Sequence, residues 1–327
     1  MSEAALQVLA SGVGEFLPPD PNGFREHVRA NKQRGLVSKV MTEREAVARF
    51  VNDGDYVAYD CNMGRRGPTA LLREIMRQRK HDLWMAAKFT ANDVNLMVAA
   101  GCVSRVDVGW MEVGRPVREA IEKGTVKLIE WTNGALAYRL LAGAMGLPFL
   151  PLRYVGGTDV FNGSGAKLVK DPYTGENICL VPALNPDVGM IHAYQCDIYG
   201  NARVYGPGVA PLEVAMSAKK LIVTTEEIID TEEIRRDPHK TMIPYYMVDA
   251  VVEMPFGCYP GSMPGIYRSD TEHMVELGRS MREGRVEEYL EKYVHSVESH
   301  QDMLEKRVGA RKLIQLRQEE KLREGYV

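Results

Sequence analysis

The sequence has 327 residues, 45% of them hydrophobic and 26% charged, a balance that excludes a disordered, fibrous or collagen-like chain. Its 41 Lys and Arg against 44 Asp and Glu give a net charge of −3, so nucleic-acid binding has no electrostatic support, while a small anion held by a few local cations is permitted. Five cysteines without a CxxC pair read as the reduced thiols of a cytoplasmic protein, and the N-terminus lacks the basic and then apolar pattern of a secretory signal.

At about 150 residues per domain the length allows one domain or two. Residues 1–36 carry Pro18, Pro19, Pro21, Gly23 and Gly35 with little apolar periodicity, and read as an arm that packs on a partner or wanders. Residues 37–327 read as one α/β body. Thr42 followed by Glu45 is a capping-box pattern that opens a helix over 42–52. A strand at 56–59, a helix at 68–79, a strand at 83–87, a helix at 92–100 and a strand at 105–109 follow. Then come a helix at 115–123, a strand at 126–129, a helix over 135–145 closed by Gly146, and a strand at 149–153. Regular alternation of this kind predicts an open, mostly parallel sheet with helices on both faces. Further segments at 187–193, 202–205, 212–218, 220–224, 230–236 and 250–253 continue it. After Pro255 the chain turns Gly/Pro/Tyr-rich, and from about residue 271 it is charged and helical. The most apolar stretch, 135–152, is interrupted by Arg139, two glycines and two prolines, so it reads as a buried helix running into a strand and not as a membrane span.

In an open parallel sheet a site belongs outside the carboxyl ends of the strands, so loops that follow strands hold the candidates. Asn62, Arg65 and Arg66 lie in such a loop, where two guanidiniums before Pro68 at a helix's first turn would surround a carboxylate or phosphate; two surface arginines on a turn are the plain alternative. Gly156, Gly157 and Thr158 follow the strand at 149 and offer bare N–H groups for an anion or an oxyanion. Glu112, beyond the strand ending near Gly109, is placed to act as a nucleophile on a thioester or as a general base for water. His192 and Cys196 are spaced like a helical metal pair but sit in a strand-like run without further ligands, so no metal is expected. Asp197–Asn201 suits a hairpin turn with a polar tip.

From about Ser38 to Arg317 the chain resembles the α (A) subunits of family I CoA-transferases of the glutaconate type. The likeness is densest in GLPFLP (146–151), MIHA (190–193), LIVTTEEIIDTEEIRRDP (221–238) and VDAVVEMPFG (248–257). That resemblance implies a homologous β subunit that completes an active site in the cleft between the two chains, as a heterodimer or α2β2 tetramer. It implies coenzyme A as a substrate, with no metal or organic cofactor and no membrane or nucleic-acid partner. It further implies a ping-pong exchange of CoA between an acyl-CoA and a carboxylic acid, expected to be dicarboxylic, through a glutamyl-CoA thioester, the glutamate coming from the β subunit, with the turn at Arg65 and Arg66 and the loop at Gly156 and Gly157 lining the pocket. Asp60, Cys61 and Asn62 stand where such α subunits carry Gly-Gly-Phe, putting side chains where the family has bare backbone. Relatives of the same fold include ring-cleaving acyl-CoA hydrolases and a decarboxylase. A hydrolase using Glu112 as general base is therefore the alternative to the transferase, and a non-catalytic ligand-binding scaffold a third reading. A bulky apolar cleft would favour the hydrolase, and a pocket for two small acids in turn the transferase.

Overall fold

The computed structural model describes residues 6–206 and 208–321. Its first elements are β1 (Val8–Ser11) and α1 (Pro21–Asn31), followed by α2 (Glu43–Phe50), β2 (Tyr56–Tyr59), α3 (Thr69–Arg77), β3 (Leu83–Thr90), α4 (Asn92–Ala99), β4 (Val103–Met111), α5 (Arg115–Glu122) and β5 (Lys127–Glu130). Next come α6 (Asn133–Met145), β6 (Phe149–Leu152), α7 (Asp159–Gly163), β7 (Lys167–Lys170), β8 (Asn177–Pro182), β9 (Val188–Ala193), β10 (Gln195–Cys196), β11 (Ala202–Arg203), α8 (Pro211–Ser217) and β12 (Lys220–Thr225). The chain closes with α9 (Thr231–Arg236), β13 (Ala250–Glu253), α10 (Thr271–Glu283), α11 (Val286–Leu290), α12 (His300–Met303) and α13 (Ala310–Glu320).

Local chemistry accounts for the element boundaries. Thr42 Oγ1 accepts the Glu45 N–H while the Glu45 carboxylate accepts the Thr42 N–H, so both ends of the capping box at α2 are closed. Thr132 caps α6 through the Ala135 N–H, and Gly146 ends that helix in the left-handed region at φ +69°.

The main sheet has seven strands in the order β13-β12-β9-β2-β3-β4-β5, every neighbouring pair parallel. This is the expected open parallel sheet, and its period-2 alternation divides the core in two. Val57, Tyr59, Leu83 and Met85 face a layer built from α2 to α5 and the C-terminal helices, while Tyr56, Ala58, Trp84 and Ala86 face α6, α8 and a second sheet. Buried charge ties that second layer together. Asp107 on β4 accepts from Tyr56 Oη at 2.7 Å and Trp84 Nε1 at 2.8 Å and pairs with the Arg139 guanidinium of α6. Arg139 also donates to the Pro182 carbonyl and stacks 4.1 Å from the Trp131 ring.

The second sheet, β1-β7-β8-β6, is antiparallel, and three of its strands, β1, β7 and β8, were not anticipated. β7 and β8 are short, and β7 alternates with lysines at both ends, leaving a weak apolar signal. The first 36 residues also depart from the expected free arm, because this segment folds back on its own chain. β1 pairs with β7, Glu15 bridges Lys127 and Arg105, and Lys32 makes a nearly buried 2.5 Å ion pair with Asp249. The prolines that masked periodicity mark the corners between these contacts, and Pro21 occupies the first position of α1, where its missing N–H costs nothing. Among the described residues no helix is long and apolar enough to cross a membrane.

Candidate functional site

Three adjacent strands of the main sheet, β2, β3 and β4, end together at the carboxyl edge, where open α/β sheets bind ligands. Beyond β2 the backbone of Asn62 and Arg65 pairs in both directions, at 3.0 and 2.9 Å. Met63 at φ +52° and Gly64 at φ +80° occupy the two central positions, the dihedral signs of a type I′ turn. The turn is backed by the loop after β13: Arg66 N–H donates to the Ser262 carbonyl and Ser262 N–H to the Gly64 carbonyl. A Cβ on Gly261 would stand 1.8 Å from the Gly64 oxygen, so this close approach requires glycine.

The two arginines of the turn separate. Arg65 is exposed and Asn62 half-buried at the edge, as a ligand-facing pair must be. Arg66 is fully buried and paired at 2.5 Å with Asp60, which corrects the expectation that it lines the pocket: its guanidinium answers a carboxylate inside the protein. Asp60 also meets Lys88 Nζ at 3.5 Å and accepts the N–H groups of Val209 at 3.0 Å and Ala210 at 2.8 Å. Burial pushes the Asp60 carboxyl up, but Lys88, Arg66 and the two N–H groups outweigh it and hold the pKa below the usual carboxylate value. One buried anion thus joins the ends of β2 and β3 to the start of α8.

Behind the same turn Asp93, in the first turn of α4, is buried beside a cavity of about 20 Å³, room for one water, lined also by Met63, Gly64 and Gly261. Burial raises its carboxyl to about 6, against the charge of Arg73 and a 3.4 Å hydrogen bond from Thr69. A raised carboxyl supports folding below its unfolded value and loses that support as pH rises through the folded one. Asp93→Asn is therefore expected to stabilise the protein by on the order of 2 to 3 kcal/mol at pH 8 and by little at pH 4. Urea midpoints at the two pH values check this, and equal shifts at both would refute it.

Glu112 lies just past β4 and is exposed. Its loop is pinned by Asn95, whose amide donates to the Ala91 and Glu112 carbonyls at 2.8 Å each and accepts the Gly114 N–H at 2.9 Å, so the carboxylate is carried on a fixed backbone. The loop at Gly156, Gly157 and Thr158 leaves the second sheet. It is exposed, with Gly157 at φ +81° and Thr158 Oγ1 turned back onto the Val155 carbonyl at 2.7 Å. Cys179 and Leu168 of that second sheet lie against Gly156.

His192 and Cys196 form no helical pair. His192 is on β9, held by Thr224 at 2.7 Å and Glu226 at 2.9 Å, and Cys196 donates to the Asp197 carbonyl. The ligand atoms of His192, Glu226 and Cys258 do lie within 4.8 Å of one another. Both His192 nitrogens and both Glu226 oxygens are, however, engaged: Glu226 accepts from Tyr267 Oη and from the N–H groups of Phe256 and Gly257. This cluster fastens the loop after β13 to the sheet. Asp197–Asn201 makes the expected polar hairpin turn between β10 and β11, with Asp197 Oδ1 accepting three successive N–H groups.

The sequence reading missed an aromatic pair at the same edge. Phe89 and Trp110 are register partners on β3 and β4 with ring centroids 5.0 Å apart, and Met63 N–H donates to the Phe89 carbonyl. Both strands were expected to stop before these residues, at 87 and 109. Extending the β-rich runs to Phe89 and Trp110 would have put the rings at the strand ends.

A family model described as "Coenzyme A transferase" matches residues 40–254. The A-type subunit of the 3-oxoadipate CoA-transferase of Pseudomonas knackmussii is 36% identical over 72% of this chain and 85% of its own. The A-type subunit of the glutaconate CoA-transferase of Acidaminococcus fermentans is 31% identical over 86% of this chain and 95% of its own. The crystal structure of the latter enzyme superposes with a TM-score of 0.82, over 85% of this chain and 95% of the compared one. The IpdA subunit of a cholesterol ring-cleaving hydrolase of Mycobacterium tuberculosis is 32% identical over 60% of this chain and 72% of its own. With the parallel sheet, the carboxyl-edge cluster and these likenesses together, the chain belongs to the coenzyme A transferase family and is an enzyme subunit of the CoA-transferase type.

Proposed function

We propose that this chain is the α-type subunit of a two-chain CoA-transferase that moves CoA between an acyl-CoA and a carboxylic acid, in a cleft whose other wall is a homologous β subunit. The observation that carries this reading is the placement of Asn62 and Arg65 after β2 and of Glu112 after β4, all at least partly exposed, on one carboxyl edge of the parallel sheet. They place polar groups on either side of this stretch of the edge, suited to hold a substrate while a second chain supplies the nucleophile. In this scheme a partner glutamate attacks the acyl carbonyl and the CoA thiolate leaves, giving an anhydride. The thiolate then attacks the glutamyl carbonyl and expels the first carboxylate, leaving a glutamyl-CoA thioester that the second acid resolves. Arg65 offers a bidentate partner to a free carboxylate, and Asn62 an amide N–H to a carbonyl oxygen. Coenzyme A enters as substrate and no further cofactor is invoked.

Co-expression with a β-type subunit, incubation with acyl-CoA compounds and borohydride trapping tests the scheme by intact mass. A reduced glutamyl adduct on the partner supports it, and consumption of acyl-CoA with no adduct on either chain overturns it. A second reading has two observations in its favour: Glu112 stands on a backbone fixed by Asn95, as a general base for water would, and the apolar pair Phe89–Trp110 lies at the same edge. Under the transferase scheme Glu112→Gln is expected to leave adduct formation intact and to lower kcat/KM by less than about tenfold. A loss of about 10² to 10⁴, with labelled water entering the product, would make Glu112 the base of a hydrolase.

A further inference from the structure

The carboxyl edge is not uniformly polar. Between the turn that carries Arg65 and the loop that carries Glu112 lies an apolar strip: Met63, 38% exposed, then Phe89, then Trp110, 41% exposed. The Phe89 and Trp110 rings are in tilted contact at 5.0 Å, and the Met63 N–H donates to the Phe89 carbonyl, which sets the turn beside the pair. Its elements are held from behind by the Asp60 cluster and by the Asn95 clamp, so the rings stand on fixed backbone. Ligand pockets have this composition, an apolar and aromatic lining with a few convergent polar groups at the margin.

Resting on the transferase reading of this edge, we infer that Met63, Phe89 and Trp110 form the acyl subsite and select an acyl-CoA whose acyl group carries an apolar ring, aryl or alicyclic. A small dicarboxylic acyl group would place its second carboxylate against two aromatic faces, whose π-electrons repel a negative charge, the indole N–H of Trp110 donating only at the edge of its ring. A flat or puckered apolar ring would instead pack against the tilted pair and exclude water from it. The thioester carbonyl then lies toward the margin of Asn62 and Arg65, on the β2 side of the rings, and CoA extends outward.

The protein provides its own reporter. It has three tryptophans, of which Trp84 and Trp131 are buried and Trp110 is exposed, so a ligand on the strip alters the emission of one residue. The test uses the complex co-purified with its β-type subunit, with phenylacetyl-CoA and glutaryl-CoA as donors and acetate as acceptor. Phenylacetyl-CoA is expected to show the higher kcat/KM and to change tryptophan emission saturably, the emission change disappearing in W110F. In W110A the ratio of kcat/KM for phenylacetyl-CoA over glutaryl-CoA is expected to fall at least roughly tenfold. That ratio is independent of the fraction of folded enzyme, so loss of stability cannot mimic the effect. Preference for glutaryl-CoA, or a ratio unmoved in W110A, overturns the ring-selective subsite while leaving the transferase reading standing. Absence of turnover and of any emission change with both donors overturns the two together.

Discussion

Arg139→Ala is expected to destabilise the protein by about 3–5 kcal/mol, because it strips the counter-charge from a carboxylate that has no access to water. Asp107 and Arg139 are both fully buried, and the two neutral donors left to Asp107, Tyr56 and Trp84, satisfy lone pairs without balancing the charge. Arg139 also carries packing, since its guanidinium covers the Trp131 ring and its Nε holds the Pro182 carbonyl. Arg153 is the contrasting case. Its pair with Glu176 is 3.0 Å long, but the two side chains are 82% and 67% exposed, so Arg153→Ala is expected to move stability by less than about 0.5 kcal/mol. Urea midpoints of both variants at constant m-value measure the difference. Similar small losses in the two would mean that the buried pair is not the fastening described.

Asp60→Asn should couple stability to activity. The variant keeps an oxygen for the Val209 and Ala210 N–H groups but leaves the Arg66 and Lys88 cations in the interior with their shared counter-ion neutralised, a loss of about 3–5 kcal/mol at pH 7. Because the Asp60 pKa is lowered in the folded state, its contribution is present above the unfolded carboxylate value and is lost as pH falls through the folded one. The gap between wild type and variant should therefore narrow as pH drops below about 4. A gap that stays constant down to pH 2 would show that charge is not the cause. Since Arg66 follows Arg65 directly and both lean on Ser262, loss of the Asp60 charge beside Arg66 is also expected to displace the Asn62–Arg65 turn and lower turnover in the folded fraction.

The parts of this molecule that were legible in the sequence are those whose signal is local. The capping box at Thr42 and Glu45, the glycine stop at Gly146 and the alternation of apolar strands with helices are written within a few residues of where they act, and each appears in the structure. What was not legible depends on partners distant in the chain. Nothing within the adjacent pair Arg65 and Arg66 says which one turns inward; that is decided by Asp60, Lys88 and the start of α8, which only the fold assembles. The pairing of β1 with β7 is invisible for the same reason, since each strand is four residues long and lacks a continuous apolar face. Glu112 stands where the sequence placed it, past a strand end, because that inference needed only the strand. The aromatic pair escaped because its meaning lies in the register of Phe89 against Trp110 and not in either residue alone.

The order of strands in the main sheet bears on how the chain comes off the ribosome. β2 is a central strand, yet one of its edges waits for β9, with Ala58 beside Gly189. Until the ribosome has made the whole stretch between them, β2 and β3 present an apolar strand with a row of unanswered N–H and C=O groups to whatever else is nascent nearby. Fragments that end before residue 188 should accordingly be sticky and require holding by a chaperone. Any attempt to produce the proposed substrate edge in isolation must include β9, even though β9 contributes no side chain to it.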